Sequence, residues 1–202
     1  MAPADAQTTR SSNWNLPNLI TVLRILLAPL FIWMLIADAG ADGPLRWWAA
    51  MLFIVAIATD GVDGAIARRR GLVTDLGKLL DPIADKVLTG GALVGLSILG
   101  ELWWWVTIVI LLREVGITVW RMVELGRGTV VPASRGGKLK TIVQAVAISL
   151  ALVPLWTILG EWMHWVNGFV MALALVLTVY SGVEYLWQAW RLRRAAADAG
   201  VD

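Results

Sequence analysis

The chain has no cysteine and a single histidine among its 202 residues. Without thiols there is no disulfide framework, no thiolate metal site and no cysteine nucleophile. A zinc centre or a Ser-His-Asp triad would have to be built around His164 alone. Charge is also scarce: 16% of residues are Asp, Glu, Lys or Arg against 58% apolar, too few to clothe an ordinary soluble domain. Phe and Tyr number three and two while Trp occurs thirteen times, a bias suited to membrane interfaces. The net charge of +2 says less than its distribution does.

Residues 141–160 and 162–183 contain no Asp, Glu, Lys or Arg. At about 1.5 Å rise per residue each can cross a hydrocarbon layer of about 30 Å as a helix. The apolar runs at 25–37, 47–59, 87–100 and 102–112 are shorter and end in charge, so hydropathy alone also allows buried core helices. Each reaches spanning length if its charged end faces partner helices or water instead of lipid. The expectation is an all-α polytopic membrane protein with six transmembrane helices, at about 16–37, 45–69, 77–99, 102–123, 138–159 and 163–190. Residues 14–192 then form one membrane domain, with tails at 1–13 and 193–202.

Six spans put both termini on one side, and the basic residues test that arrangement. One side collects Arg10, Arg68, Arg69, Arg70, Lys78, Arg121, Arg127, Arg135, Lys138, Lys140, Arg191, Arg193 and Arg194; the other has only Arg46. The positive-inside rule therefore places the termini in the cytoplasm. Trp47, Trp48, Trp103, Trp104, Trp105, Trp162 and Trp165 fall at the expected outer ends and Trp14, Trp187 and Trp190 at the inner ones, as interfacial belts. The segment Ala37-Asp38-Ala39 imitates a signal-peptidase site, but Arg24 interrupts the approach to the apolar run before it, and a cleaved signal is not expected.

Asp60, Asp63, Asp81 and Asp85 are the residues that point to chemistry. On a helix Asp60, Asp63 and Ala67 share a face at i, i+3 and i+7, and Asp81 and Asp85 share one at i, i+4. Two helices crossing here would converge four acids on one point. Four Asp at mid-membrane depth cost on the order of 10 kcal/mol, less near the interface. Arg68 and Lys86 can pair with two of them, yet the like charges still repel, and bound divalent cations offset that repulsion more fully. Carboxylate ligands without His or Cys suit hard ions such as Mg²⁺ or Mn²⁺. Gly64 and Gly77 weaken their helices unless something approaches the backbone closely. The blander reading is an ion-pair cluster at helix ends with glycines for helix packing.

Asp60-x-x-Asp63-Gly64-x-x-Ala67-Arg68, eight residues, then Gly77-x-x-x-Asp81-x-x-x-Asp85 resembles the full signature of the CDP-alcohol phosphotransferase family, with no departure at a defined position. Asn15-Leu16-Pro17-Asn18, Thr21 and Arg24, Asp81 to Lys86, Arg113-Glu114, and Gly137-Lys138-Leu139-Lys140-Thr141 are similar to segments of bacterial members, so the resemblance covers about residues 13–190. It implies a six-helix enzyme of the bacterial cytoplasmic membrane, usually a homodimer, with its active site facing the cytoplasm. The implied reaction moves a phosphatidyl group from CDP-diacylglycerol to an alcohol, glycerol 3-phosphate in the branch these segments resemble, and releases CMP.

Carried over position by position, the resemblance makes Asp60 and Asp81 bridge two metal ions, with Asp63 completing the first and Asp85 the second. Asp85 is also the implied base. Gly64, Ala67, Arg68 and Gly77 would line the cytidine-diphosphate pocket, with Thr74 in the spacer and Asn18 and Thr21 closing over it. Elementary chemistry agrees in kind: a diphosphate needs its charge neutralised as it reacts, and a hydroxyl needs a base within hydrogen-bond reach.

Arg113 lies well inside an expected span, where it either pairs with an acid or binds an anion. With Ser134, Lys138 and Lys140 it makes a candidate clamp for an acceptor phosphate. Glu114 is expected to point elsewhere on the helix, and Arg121, Arg127 and Arg135 serve topology or anionic lipid equally well. An inositol phosphate also fits such a clamp, and phosphatidylglycerol is a further acceptor within the same chemistry. A divalent-cation transporter is the alternative of another class, though all four acids lie toward one side. Pro154 is expected to kink the fifth span, His164 to be solvated, Asp75 to cap the third span, and Glu184 either to pair with a loop Arg or to shape the cavity.

Overall fold

The computed structural model describes residues 16–70, 75–126 and 135–198, and side chains within 18–61, 80–124, 126, 136–191 and 194. The described residues are helical, without strands. The helices are α1 (Leu16–Asp38), α2 (Pro44–Arg70), α3 (Asp75–Ile98), α4 (Trp104–Gly126), α5 (Arg135–Leu152), the single turn α6 (Trp156–Leu159) and α7 (Trp162–Asp198). The six long helices coincide with the six apolar segments of the sequence. Of these, α1 over Asn18–Asp38 and α7 over Trp162–Arg191 are long and apolar enough by themselves to cross a membrane.

Helices α1, α2 and α3 pack together, α7 packs on α4 and α5, and α5 lies against α2 and α3 to join the two groups. Phe31 and Phe53 meet in the core with ring centroids 5.5 Å apart, beside Leu35, Leu93, Leu96, Ile148 and Leu152. The approach of α1 to α3 depends on glycine: a Cβ on Gly91 would stand 2.6 Å from Cδ1 of Ile32, and one on Gly95 2.6 Å from Cδ2 of Leu35. Small residues at such crossings let backbones pack closely without a water-driven hydrophobic force.

The bundle exposes large apolar side chains over its surface and buries several polar ones within a mainly apolar core. Leu26, Trp33, Leu112, Phe169, Val176 and Leu186 are exposed, whereas Thr21, Arg24, Arg46, Thr107, Lys140, Gln144, Thr178 and Ser181 are buried. Interior polar groups find partners between helices, as Ser97 and Thr107 do with their hydroxyls 2.7 Å apart.

The end of the bundle where α1 stops and α2 starts is tied by side chains. The Asp38 carboxylate accepts the amides of Asp42 and Gly43 at 2.9 and 3.0 Å, holding a turn in which Ala39, Gly40 and Asp42 all have positive φ. Arg46 is 0% exposed. It donates to the carbonyls of Leu152 and Ala151 at 2.8 and 2.9 Å and grips both carboxylate oxygens of Glu101. Its guanidinium thus caps the C-terminal carbonyls of α5, where helical partners run out and the helix dipole favours a cation. Pro154 ends α5 instead of kinking it: the helix stops at Leu152, and α6 runs separately before Gly160 at φ 100°. Proline has no N–H to continue the ladder and its ring clashes with the preceding turn. His164 is exposed, pairs with Glu161 at 3.3 Å and stacks on Trp156.

Candidate active site

At the opposite end lie three aspartates, Asp60 on α2 and Asp81 and Asp85 on α3. Helix α1 supplies the groups that hold two of them. Arg24 is buried, donates from Nε to the carbonyl of Ala56 at 3.1 Å, and forms an ion pair from Nη1 to Oδ1 of Asp60. One helical turn earlier, Thr21 donates its hydroxyl to Oδ1 of Asp81 at 2.8 Å. Residues 21 and 24 lie on one face of α1, so a single helix face engages one acid on α2 and one on α3. Asn18 is buried one turn further along. Asp85, the third acid, lies four residues after Asp81 on α3, with Oδ2 4.0 Å from Nζ of Lys86.

Asp60 and Asp85 line a cavity of about 240 Å³ together with Arg24, Glu114, Lys140 and Gln144. Gln144 is buried, and its amide oxygen has no hydrogen-bond partner among the described residues. A second cavity, of about 510 Å³, adjoins the first; Asp85 and Glu114 border both. Its other walls are basic and aromatic: Lys86, Arg113, Arg121, Lys138 and Tyr185. A third cavity of about 530 Å³ lies at the far end among Trp103, Trp105, Trp156 and His164, away from the aspartates.

Glu114 joins the two neighbouring cavities. Its Oε1 accepts from Nη1 of Arg113 at 3.0 Å and from Nζ of Lys140, and its Oε2 stands 3.5 Å from Nζ of Lys86. The expectation that Glu114 points away from Arg113 is therefore corrected: the flexible guanidinium curls round the helix to its sequence neighbour. Arg113 also donates from Nη2 to Oγ of Ser181 at 2.9 Å and lies 5.8 Å from the ring centroid of Tyr185, both on α7. Its Nε–H is enclosed with no acceptor among the described residues.

The candidate clamp residues divide between the cavities. Lys138 lines the larger one beside Arg113, while Lys140, 2% exposed, is locked to Glu114 and borders the cavity of the aspartates. Thr21, expected over the nucleotide, directs its hydroxyl at Asp81. Asp63, Gly64, Ala67 and Arg68 fall on the last turns of α2 and Gly77 on the first of α3; their side chains, that of Asp75, and Thr74 and Ser134 altogether lie outside the described residues. Glu184 accepts from Gln188 at 3.3 Å through one oxygen, and its other oxygen is buried without a partner among the described residues.

The family model for CDP-alcohol phosphatidyltransferase matches residues 14–180. The chain belongs to the CDP-alcohol phosphatidyltransferase family. It is an enzyme of that class, and its curated relatives are bacterial. A probable phosphatidylglycerophosphate synthase of Mycobacterium tuberculosis is 49% identical over 177 residues, 88% of this chain and 82% of the relative. A Bacillus subtilis protein named CDP-diacylglycerol--glycerol-3-phosphate 3-phosphatidyltransferase is 40% identical over 187 residues, 88% of this chain and 96% of its own. The Escherichia coli K12 protein of the same name is 36% identical over 183 residues, 86% and 93% of the two chains.

For this phosphatidyltransferase, divalent metal is the expected cofactor class, and the donor chemistry fits it. Asp60, Asp81 and Asp85 offer carboxylate oxygens and the site residues include no imidazole or thiolate, a donor type suited to hard cations. Among the described residues no three such ligands stand close enough to hold an ion; Asp63, the fourth acid, is outside them. Sequence reasoning missed Arg24, Ser181, Tyr185 and Gln144. Arg24 had a signal, a lone cation in an apolar helix that demanded a buried partner. Ser181, Tyr185 and Gln144 had none, because neutral polar residues on apolar helices are common in packing.

Proposed function

We propose that this phosphatidyltransferase acts on CDP-diacylglycerol and glycerol 3-phosphate, giving phosphatidylglycerophosphate and CMP. The observation that carries the reading is Asp85 on the wall between the cavity of the aspartates and the basic cavity. The nucleotide diphosphate takes the first cavity and the phosphate-bearing alcohol the second, so that a carboxylate stands where the two substrates meet. The names of relatives 36–49% identical, over most of both chains, support the same acceptor.

In this reading the primary hydroxyl oxygen of glycerol 3-phosphate attacks the phosphorus that bears diacylglycerol. Its proton passes to the Asp85 carboxylate, the new P–O bond forms, and the bond from that phosphorus to the bridging oxygen breaks. CMP departs with that oxygen and its electron pair. Asp60, Asp63, Asp81 and Asp85 would hold two divalent cations, Mg²⁺ or Mn²⁺, which would supply charge neutralisation at the diphosphate. Arg24 and Thr21 orient Asp60 and Asp81. Asn18, Gly64, Ala67, Arg68, Thr74 and Gly77 line the nucleotide side, and Arg113, Ser134 and Lys138 receive the acceptor phosphate, with Lys140 behind them.

The chain spans the bacterial cytoplasmic membrane six times as one domain over residues 14–192, with cytoplasmic tails at 1–13 and 193–202, and works as a homodimer with its active site facing the cytoplasm. Large apolar side chains exposed over the surface and the one-sided distribution of Lys and Arg support that placement. The test is CMP release by the detergent-purified protein given CDP-diacylglycerol and Mg²⁺ or Mn²⁺, with glycerol 3-phosphate, inositol phosphate, inositol, serine or phosphatidylglycerol in turn. Release with glycerol 3-phosphate alone is expected; release with a different alcohol alone would discard the acceptor assignment.

A further inference from the structure

Three cations from three helices share one carboxylate, an arrangement the transfer chemistry does not itself require. Lys86 comes from α3, Arg113 from the same helix as Glu114, and Lys140 from α5. Adjacent residues on a helix point roughly 100° apart, and the Arg113 side chain lies against α7 where it turns to Glu114. Gly182 leaves room for it: a Cβ there would lie 3.3 Å from Cγ of Arg113, and Ser181 and Tyr185 flank the guanidinium beyond it. Without a central anion, Lys86, Arg113 and Lys140 would repel one another and swing apart on long flexible stems.

We propose that Glu114 is a positioning residue for the phosphate-bearing acceptor: its carboxylate holds Arg113 and Lys86 as a fixed array beside Asp85, anchored at the back by Lys140. This rests on the reading of the larger cavity as the acceptor site. Glu114 does not touch the reacting atoms and acts through the cations it holds. A dianionic phosphate meets donors already oriented, and the entropy of ordering two long side chains is lost on folding instead of on binding.

The alternative role, plain neutralisation of surplus positive charge, predicts the opposite sign. Glu114→Gln leaves the cavity one unit more positive; if charge alone mattered, a phosphate acceptor would bind more tightly. If orientation matters, the freed cations spread and the acceptor binds more weakly. The experiment is steady-state CMP release by the full chain in detergent, with KM measured separately for glycerol 3-phosphate and CDP-diacylglycerol. Glu114→Gln is expected to raise the KM for glycerol 3-phosphate about tenfold or more, the loss of one well-oriented charge-assisted contact, and to raise it several-fold more than the KM for CDP-diacylglycerol, whose cavity Glu114 and Lys140 also border.

Glu114→Asp keeps the charge but is one methylene shorter, and should restore part of the lost acceptor affinity. A KM for glycerol 3-phosphate that is unchanged or lower in Glu114→Gln, or a parallel rise in both KM values, overturns the assignment. If Glu114→Gln does not fold, Glu114→Asp alone decides, since an unchanged acceptor KM there overturns it equally. Wild-type protein that releases no CMP with glycerol 3-phosphate overturns the functional reading; wild-type turnover with an unaffected Glu114 variant overturns only the role of Glu114.

Discussion

Replacing Arg113 by alanine should weaken glycerol 3-phosphate selectively. The guanidinium borders the basic cavity, with Nη1 on Glu114, Nη2 on Ser181 and its central carbon 5.8 Å from the ring centroid of Tyr185. A hydrogen bond from a charged donor contributes about 1.5–3 kcal/mol, and each 1.4 kcal/mol is about tenfold in affinity. One lost contact to the acceptor phosphate therefore predicts a KM for glycerol 3-phosphate raised about 10- to 150-fold. The cavity that contains Asp60 does not include Arg113 among its walls, so KM for CDP-diacylglycerol should stay within about twofold. Arg113→Lys keeps the charge but loses the planar fork that reaches Glu114 and Ser181 together, and should fall between alanine and wild type. The assay is CMP release with each substrate varied in turn at saturation of the other, alongside thermal unfolding in the same detergent. An equal rise in both KM values, accompanied by a lower Tm, would refute the clamp and make Arg113 a folding residue.

Other consequences separate stability, metal binding and chemistry. Arg46→Met strips the cap from α5 and leaves Glu101 unpaired, and should cost about 3 kcal/mol, read as a clear fall in Tm with both KM values unchanged at low temperature; an unchanged Tm would remove its role as a tie. Asp60→Asn retains an oxygen for Arg24 but weakens a proposed cation ligand, so Mn²⁺ is expected to raise the Tm of wild type and to leave that of the variant unchanged; an equal rise in both would contradict the metal assignment. Asp85→Asn should slow turnover by about 10² to 10⁴ while CDP-diacylglycerol still binds in a direct titration, and loss of that binding would make Asp85 a metal ligand only.

The sequence read well where its signals are local. Apolar runs placed the six long helices, with the bounds of α1 to α4 close to those expected, whereas α5 ends at Leu152, short of the expected 159, and α7 runs on to Asp198, past the expected 190. The spacing of Asp60, Asp81 and Asp85 was equally plain. What spacing did not carry was pairing between helices: Arg24 meets Asp60 across 36 positions, Lys140 meets Glu114 across 26, and Arg46 meets Glu101 across 55. Arg46 counted only as the lone basic residue of one side, yet it is a buried cap. Lys140 read as part of a phosphate clamp, yet its ammonium is engaged by Glu114. In each case a cation with nowhere to go along its own helix was the available clue, and its partner depended on tertiary packing. Pro154 showed the converse, since a proline forecasts disruption but neighbouring contacts decide between a kink and an end.

The most direct measurement supplies the purified protein with CDP-diacylglycerol, Mg²⁺ and carbon-labelled glycerol 3-phosphate, and identifies the lipid product by mass spectrometry while CMP is quantified in parallel. The account predicts labelled phosphatidylglycerophosphate formed in equal amount to CMP. CMP released with no label in the lipid, or no CMP at all, would contradict it.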